Sequence, residues 1–108
     1  MTTEPDAMPD RSQRFALGAL IVDEDVHDIL AMNRQSLSEL LARHAAGDWG
    51  DVTEELRARN NESIAASYWL KSLYKSQGSA DVIGVRTNGQ RTETHVRVEW
   101  DPPQGLLF

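Results

Sequence analysis

The spacing of apolar residues changes at Tyr68, and this change limits the possible folds more than any other feature of the sequence. Before Tyr68, apolar side chains recur three and four residues apart, as in Val26, Ile29 and Leu30, which predicts amphipathic helices. From Tyr68 onward apolar and polar residues alternate, which predicts half-buried strands. Helices followed by strands are typical of an α+β domain.

Three helices are expected before Tyr68. Each predicted helix begins after a capping residue. A carboxylate follows that residue either immediately or three positions later, where the positive end of the helix dipole stabilises it. The first helix is expected to run from an N-cap at Asp23 to Asn33 and the second from an N-cap at Ser36 to Gly47. The third is expected to run from an N-cap at Asp51 to about Ala66. The third helix has few apolar residues, so we expect it to face mainly solvent.

Three strands in an antiparallel meander are expected after the helices. In the first, we expect alternate residues on opposite faces, with Tyr68, Leu70, Ser72 and Tyr74 on one face and Trp69, Lys71, Leu73 and Lys75 on the other. Gln77-Gly78-Ser79 predicts a turn, Val82–Thr87 a second strand with Ile83 and Val85 inward, and Asn88-Gly89 a hairpin turn. The last strand is expected to direct inward Thr94, Val96, Val98 and Trp100.

The apolar run Phe15–Val22 predicts one more strand, buried on both faces. The sequence therefore predicts an α+β fold with about three helices on one face of a three- to four-stranded antiparallel sheet. A single domain is expected over residues 15–103, preceded by a disordered arm over 1–14. The apolar tail over 104–108 is expected either to dock onto the domain or to meet another molecule.

The charge of the chain limits its possible partners. The net charge is −6, and the first 31 residues alone carry seven acids and two bases. Binding to nucleic acid without sequence preference depends on neutralising phosphates, so this class of partner is disfavoured. The chain has no cysteine, no apolar run of membrane-spanning length and no secretory-type leader, which predicts a cytoplasmic protein without disulfides or membrane contact.

The turn Arg43–Asp51 is the most specific local feature of the sequence. Its residues suit ordinary structural roles at a junction between two helices, and we favour that interpretation. The alternative is a polar site, in an enzyme or a ligand-binding protein, formed by Arg43, His44, Asp48, Thr87 and Arg91. No histidine has metal-ligand spacing and no phosphate loop or nucleophile elbow is present, so no metal, cofactor or catalytic residue is predicted.

The exposed sheet face offers a second candidate surface. Its expected members are basic and aromatic or apolar, namely Trp69, Lys71, Leu73, Lys75, Arg86 and Arg97. Such a set could stack and hold single-stranded nucleic acid. Exposed Trp69 and Leu73 favour a protein interface instead.

The chain also resembles a group of small uncharacterised proteins carried by bacterial plasmids, integrative elements and related mobile DNA. The resemblance rests on Phe15-x-Leu17-Gly18, Leu40-Leu41-x-Arg43-His44-x-x-Gly47-Asp48-Trp49-Gly50-Asp51, Asn60, Ser72-x-Tyr74 and Thr87-x-x-x-Arg91-x-x-Thr94. This chain departs from the usual pattern of the group at several positions. The group usually has acidic residues where this chain has Asn88 and Gln90, and an arginine where it has Trp69. It also has a Pro-Glu-Glu-Tyr-like end where this chain has Val98-Glu99-Trp100. An aromatic in place of a charge suggests diversification toward protein contact.

The group has no established activity, but small acidic proteins of mobile elements often block host defence. The resemblance therefore leads us to expect a non-enzymatic inhibitor or accessory protein, of anti-CRISPR or antirestriction type, that binds a host nuclease or CRISPR complex. Acidic helical residues, Asp23, Glu24, Asp25 and Asp28 among them, could meet the basic grooves of such a partner. The expected partner-binding residues are Asp48, Trp49, Asp51, Glu54, Glu55, Trp69 and Leu73.

Overall fold

Three helices and a four-stranded sheet form the fold in the computed structural model of the protein. The structure describes residues 13–76, 78, 80–99 and 103–107. The elements are, in chain order, β1 (Ala19–Val22), α1 (Glu24–Met32), α2 (Leu37–Ala45), α3 (Glu54–Ala66), β2 (Leu70–Lys75), β3 (Val82–Thr87) and β4 (Glu93–Glu99). The predicted α+β class is confirmed. The described residues exclude the part of the expected arm that precedes residue 13. They also exclude Gln77, Ser79, Trp100 and Phe108.

The sheet is mixed, with strand order β1-β4-β3-β2. Strands β2, β3 and β4 form the predicted antiparallel meander, whereas β1 runs parallel to β4 with Ala19 opposite Glu93. The expectation of a wholly antiparallel sheet is therefore wrong. The expectation that Phe15–Val22 is buried on both faces is also wrong, because β1 is a short edge strand in which Leu20 is 49% and Ile21 42% exposed.

The main apolar core lies between the sheet and the first two helices. The helical stripes contribute Val26 and Leu30 from α1 and Leu40 and Leu41 from α2. The inner face of the sheet, which these helices cover, contributes Tyr74, Ile83, Val85, Val96 and Val98. The predicted inward positions of β3 and β4 are confirmed within the described residues.

The predicted N-cap positions of the first two helices are confirmed, although the Asp23 side chain makes no capping hydrogen bond, and the predicted N-cap of the third helix is wrong. Asp23 and Ser36 precede α1 and α2, and the Ser36 hydroxyl accepts a hydrogen bond from the Glu39 amide. Thr53, rather than Asp51, caps α3, and its hydroxyl accepts a hydrogen bond from the Leu56 amide. Within the described part of the chain, no helix is long and apolar enough to cross a membrane.

The outer edge of β2, which has no neighbouring strand, is covered by other parts of the chain. The buried Asn60 side chain accepts from the Lys71 amide at 3.2 Å and donates to its carbonyl at 2.8 Å. The Leu73 amide donates to the Trp49 carbonyl at 3.1 Å, and the Lys75 amide donates to the Asp51 carboxylate at 2.8 Å. Asp51 is therefore unavailable as a helix cap because it satisfies the sheet edge.

Gly50 is required where this covering segment approaches β2. Its φ is +81°, a conformation that residues with a β-carbon rarely adopt. A β-carbon at this position would also collide with the carbonyl oxygen of Leu73. The glycine in Trp49-Gly50-Asp51 therefore follows from close backbone contact.

A second apolar cluster lies beside β2 and extends onto the outer sheet face, the face that α1 and α2 do not cover. Leu73 belongs to it and is fully buried, so the expectation that Leu73 is exposed is wrong. Residues 103–107 return to this cluster, with Leu106 bridged to Val52 and 6% exposed, while Leu107 is 51% exposed. The other members of the cluster are Phe15, Trp49, Leu56, Leu70 and Val82.

Replacing Asn60 with alanine should lower the free energy of unfolding by about 2 kcal/mol, because the backbone groups of Lys71 lose their buried partner. Chemical denaturation would measure the change. The matched control is Glu62→Ala, an exposed position on the same helix, which should stay within about 0.5 kcal/mol of the wild type. Equal losses in the two variants would contradict the role of Asn60 at the sheet edge.

Candidate functional site

A chain of buried polar side chains connects α2 to three strands. His44 is fully buried, with Nδ1 2.6 Å from the Ser72 hydroxyl and Nε2 2.9 Å from the Thr87 hydroxyl. Thr87 and Thr94 are joined at 2.7 Å, and the Thr94 hydroxyl donates to the Leu17 carbonyl at 2.8 Å. Every side chain of this network therefore has a partner inside the protein.

The carbonyl at one end of the network determines where the protons lie. Thr94 uses its only hydrogen toward Leu17, so it accepts from Thr87. Thr87 then has no hydrogen left for His44, so the imidazole donates from Nε2. Nδ1 consequently accepts from Ser72, which fixes His44 as the neutral tautomer protonated on Nε2.

The surroundings of His44 disfavour a charged imidazole. Burial, with a smaller effect from the positive charge of Arg91, lowers the pKa of His44 from 6.5 to about 3. The rings of Phe15 and Trp49 lie edge-on to the imidazole, with centroids 5.2 and 5.7 Å away. His44 therefore acts as a neutral connector of the core and has no open face for a substrate.

The polar site predicted around the Arg43–Asp51 turn is only partly assembled. His44 and Thr87 are in contact, but Arg43 pairs with Asp48 at 2.7 Å and lies over the Tyr74 ring. Arg91 donates to the carbonyl of Ser63, in the last turn of α3, and to that of Tyr68 just after it. Both arginines are thus engaged in holding the fold. Among the residues that the structure describes, no cluster of three potential metal ligands occurs.

The predicted partner-binding residues separate into buried and exposed sets. Trp49 is 3% exposed, and its indole donates a hydrogen bond to the Asn61 side chain. The prediction that Trp49 is accessible to a partner is therefore wrong, and the same prediction is wrong for the buried Leu73. Asp48 and Asp51 are engaged by Arg43 and by the Lys75 amide. Asp48, Glu54, Glu55 and Trp69 lie at the surface.

Trp69 lies between two clefts on the outer sheet face. The larger, of about 710 Å³, is lined by residues that include Tyr68, Asn88, Glu93 and His95. The smaller, of about 400 Å³, lies beside α3 and residues 104–105 and includes Glu55, Arg59 and Lys71. Trp69 and Arg86 line both clefts and form the ridge between them.

Cationic side chains surround the exposed indole of Trp69. The guanidinium carbons of Arg59 and Arg86 lie 4.8 and 5.9 Å from its ring centroid, distances at which the ring attracts a cation. Burial lowers the pKa of Lys71, and the positive charges of Arg86 and Arg97 lower it further. The negative charge of Glu99 acts in the opposite direction. We call this set, Arg59, Tyr68, Trp69, Lys71 and Arg86, the Trp69 surface.

Sequence alternation identified three members of the Trp69 surface and missed two. Trp69, Lys71 and Arg86 were expected on the outer face, whereas Tyr68 was expected inward and is 67% exposed, because β2 begins only at Leu70. Arg59 comes from α3 and reaches Trp69 because the adjacent Asn60 attaches that helix to β2. The sequence gives no local signal of this attachment, because the burial of Asn60 follows from the packing of α3 on β2.

The low pKa of His44 makes stability depend on pH. Its contribution is fully present above pH 6.5, where the unfolded chain also holds a neutral imidazole, and it falls as the pH decreases toward about 3. The expected slope is about 1.4 kcal/mol per pH unit. Denaturation of the wild type and of His44→Gln across this range should therefore show a steeper loss in the wild type.

Parallel losses in the two proteins would contradict this assignment. Should His44→Gln fail to fold, NMR of the wild type decides the matter. The imidazole signals of His44 should then stay unchanged well below pH 6.5 for as long as the protein remains folded.

No protein-family model, no curated protein and no solved structure matches this chain. A functional conclusion therefore depends on the residues themselves and on their geometry. That geometry separates a closed polar network around His44 from an open, cationic and aromatic surface around Trp69.

Proposed function

We propose that this protein is a non-enzymatic binding module that contacts a protein partner through the Trp69 surface. The observation that supports this most strongly is the position of Trp69, 37% exposed beside two arginines on a ridge between two clefts. Tryptophan, tyrosine and arginine are the residue types most enriched among interface residues that dominate binding energy. A concave surface on each side of the ridge would let a partner surround the indole.

An enzymatic role at the Arg43–Asp51 turn has less support. His44 is the acid–base candidate of that turn, but both of its ring nitrogens are bonded to hydroxyls inside the core. A general base must reach the proton that it removes, and this imidazole faces only protein groups. The turn is better explained as a structural junction.

The charge pattern of the Trp69 surface favours a protein over a nucleic acid. Carboxylates are interspersed with its cations, with Glu55 in the smaller cleft and Glu93 in the larger. A continuous row of phosphates would meet these carboxylates, and the net charge of −6 would repel a polyanion at longer range. A protein segment can match a mixed pattern of charges.

The class of partner that we propose is a bacterial defence nuclease or CRISPR complex. This part of the proposal depends on the resemblance to proteins of mobile DNA described above. The exposed acids of α1 and α3 would speed the encounter with a basic nucleic-acid-binding protein, as would be expected of an anti-CRISPR or antirestriction inhibitor. These residues are Glu24, Asp25, Asp28, Glu54, Glu55 and Glu62.

Trp69→Ala should weaken binding to the partner at least about tenfold, because the indole is the central apolar contact. The measurement is a pull-down with the tagged protein from hosts that carry active restriction or CRISPR systems, followed by a titration of the recovered partner. Protection of incoming DNA in the same hosts should be lost in parallel.

The matched control is Met32→Ala, which removes another exposed apolar side chain, 68% exposed, at the end of α1. This variant should bind and protect as the wild type does. Full binding by a folded Trp69→Ala variant would contradict the proposed surface, and so would an equal loss in Met32→Ala.

A further inference from the structure

The smaller cleft beside Trp69 contains three cations that have no ion-pair partner within the described part of the chain. Arg59, Lys71 and Arg86 line it together. The ion pairs seen among the described residues use other groups, joining Arg43 to Asp48, Arg57 to Glu54 and Arg97 to Glu99. The cleft therefore holds a local excess of positive charge on a chain whose net charge is −6.

This grouping of cations has an electrostatic cost that an anion would offset. Like charges oppose one another, and the effect is larger where side chains are partly removed from water. Lys71 is half-buried, and the charges of Arg86 and Arg97 act together with its burial to lower its pKa. Glu55 lines the same cleft, and Glu99 acts on Lys71 in the stabilising direction, but neither forms an ion pair with these three cations.

The chemistry of the lining fits a carboxylate on a chain. An arginine fork donates two parallel hydrogen bonds to a carboxylate, and Arg59 and Arg86 both lie at the cleft. The exposed indole between them offers an apolar contact for the carbon atoms that carry such a group. Because Trp69 and Arg86 also line the larger cleft, an extended segment could continue over the ridge.

We infer that the cleft formed by Arg59, Lys71, Trp69 and Arg86 binds an acidic segment of the protein partner, with its carboxylates on the cations and its carbon atoms on the indole. This inference depends on the proposed function, since it specifies what the partner presents to the Trp69 surface. The carboxylates within the two clefts favour a peptide over nucleic acid. A peptide can place its acids beside the cations and leave neutral residues beside Glu55 and Glu93.

The direct test titrates the full chain with a short glutamate-rich peptide whose ends are blocked. The indole NMR signal of Trp69, assigned with Trp69→Phe, should shift, and the affinity should fall as salt is raised. A glutamine-rich peptide of the same length and an oligo-deoxythymidine of the same charge are the comparison probes. We expect the glutamate peptide to bind more tightly than either.

The matched pair of variants is Arg59→Gln and Arg57→Gln. Both remove one positive charge from α3, but Arg57 lies outside the cleft and pairs with Glu54. Arg59→Gln should weaken binding of the glutamate peptide about fivefold, as expected for the loss of one partly exposed ionic contact. Arg57→Gln should leave it unchanged.

Several outcomes would overturn the inference. These are no shift at Trp69, equal binding of the glutamine peptide, tighter binding of the oligonucleotide, or equal effects of the two arginine variants. The partner assay separates this inference from the proposed function. Loss of partner binding in Trp69→Ala with full binding in Arg59→Gln would retain the module and reject the acidic segment.

Discussion

The hydrogen-bonding demand of one sheet edge determines most of this structure. Strand β2 has no neighbour on its outer side, and an uncovered edge would leave backbone groups available for unintended pairing. The chain meets this demand with the Asn60 amide, the Trp49 carbonyl and the Asp51 carboxylate, which come from α3 and the turn before it. The position of that helix, the glycine at 50 and the burial of Leu73 all follow from this covering.

The same covering creates the exposed surface. Because Asn60 attaches α3 to β2, the adjacent residue Arg59 reaches the indole of Trp69. On the inner face, His44 and its hydroxyl partners connect α2 with the sheet. The residues on which the proposed resemblance to mobile-DNA proteins rests are largely those of the edge and the network. These residues have structural roles in this fold, whereas Trp69 lies on the exposed face.

The sequence was informative wherever local rules decide the structure. Apolar spacing identified the helices and the meander, and capping chemistry placed the starts of α1 and α2. It failed where distant segments meet. Asp51 has the pattern of a cap but satisfies Lys75, and Leu73 has the alternation of an outer residue but is covered by Val52 and Leu106, segments distant in sequence. The site was predicted in part, because Trp69 was visible in the alternation whereas Arg59 needed the packing of α3.

The parallel pairing of β1 with β4 has a consequence for how the chain reaches its native state. Ala19 pairs with Glu93, so this contact joins the two ends of the domain and requires closure of a very long loop. Contacts of this kind slow folding, and during synthesis on the ribosome β1 emerges long before its partner strand exists. Leu20 and Ile21 therefore have no partner strand until β4 has been synthesised, and the sheet is completed late in folding.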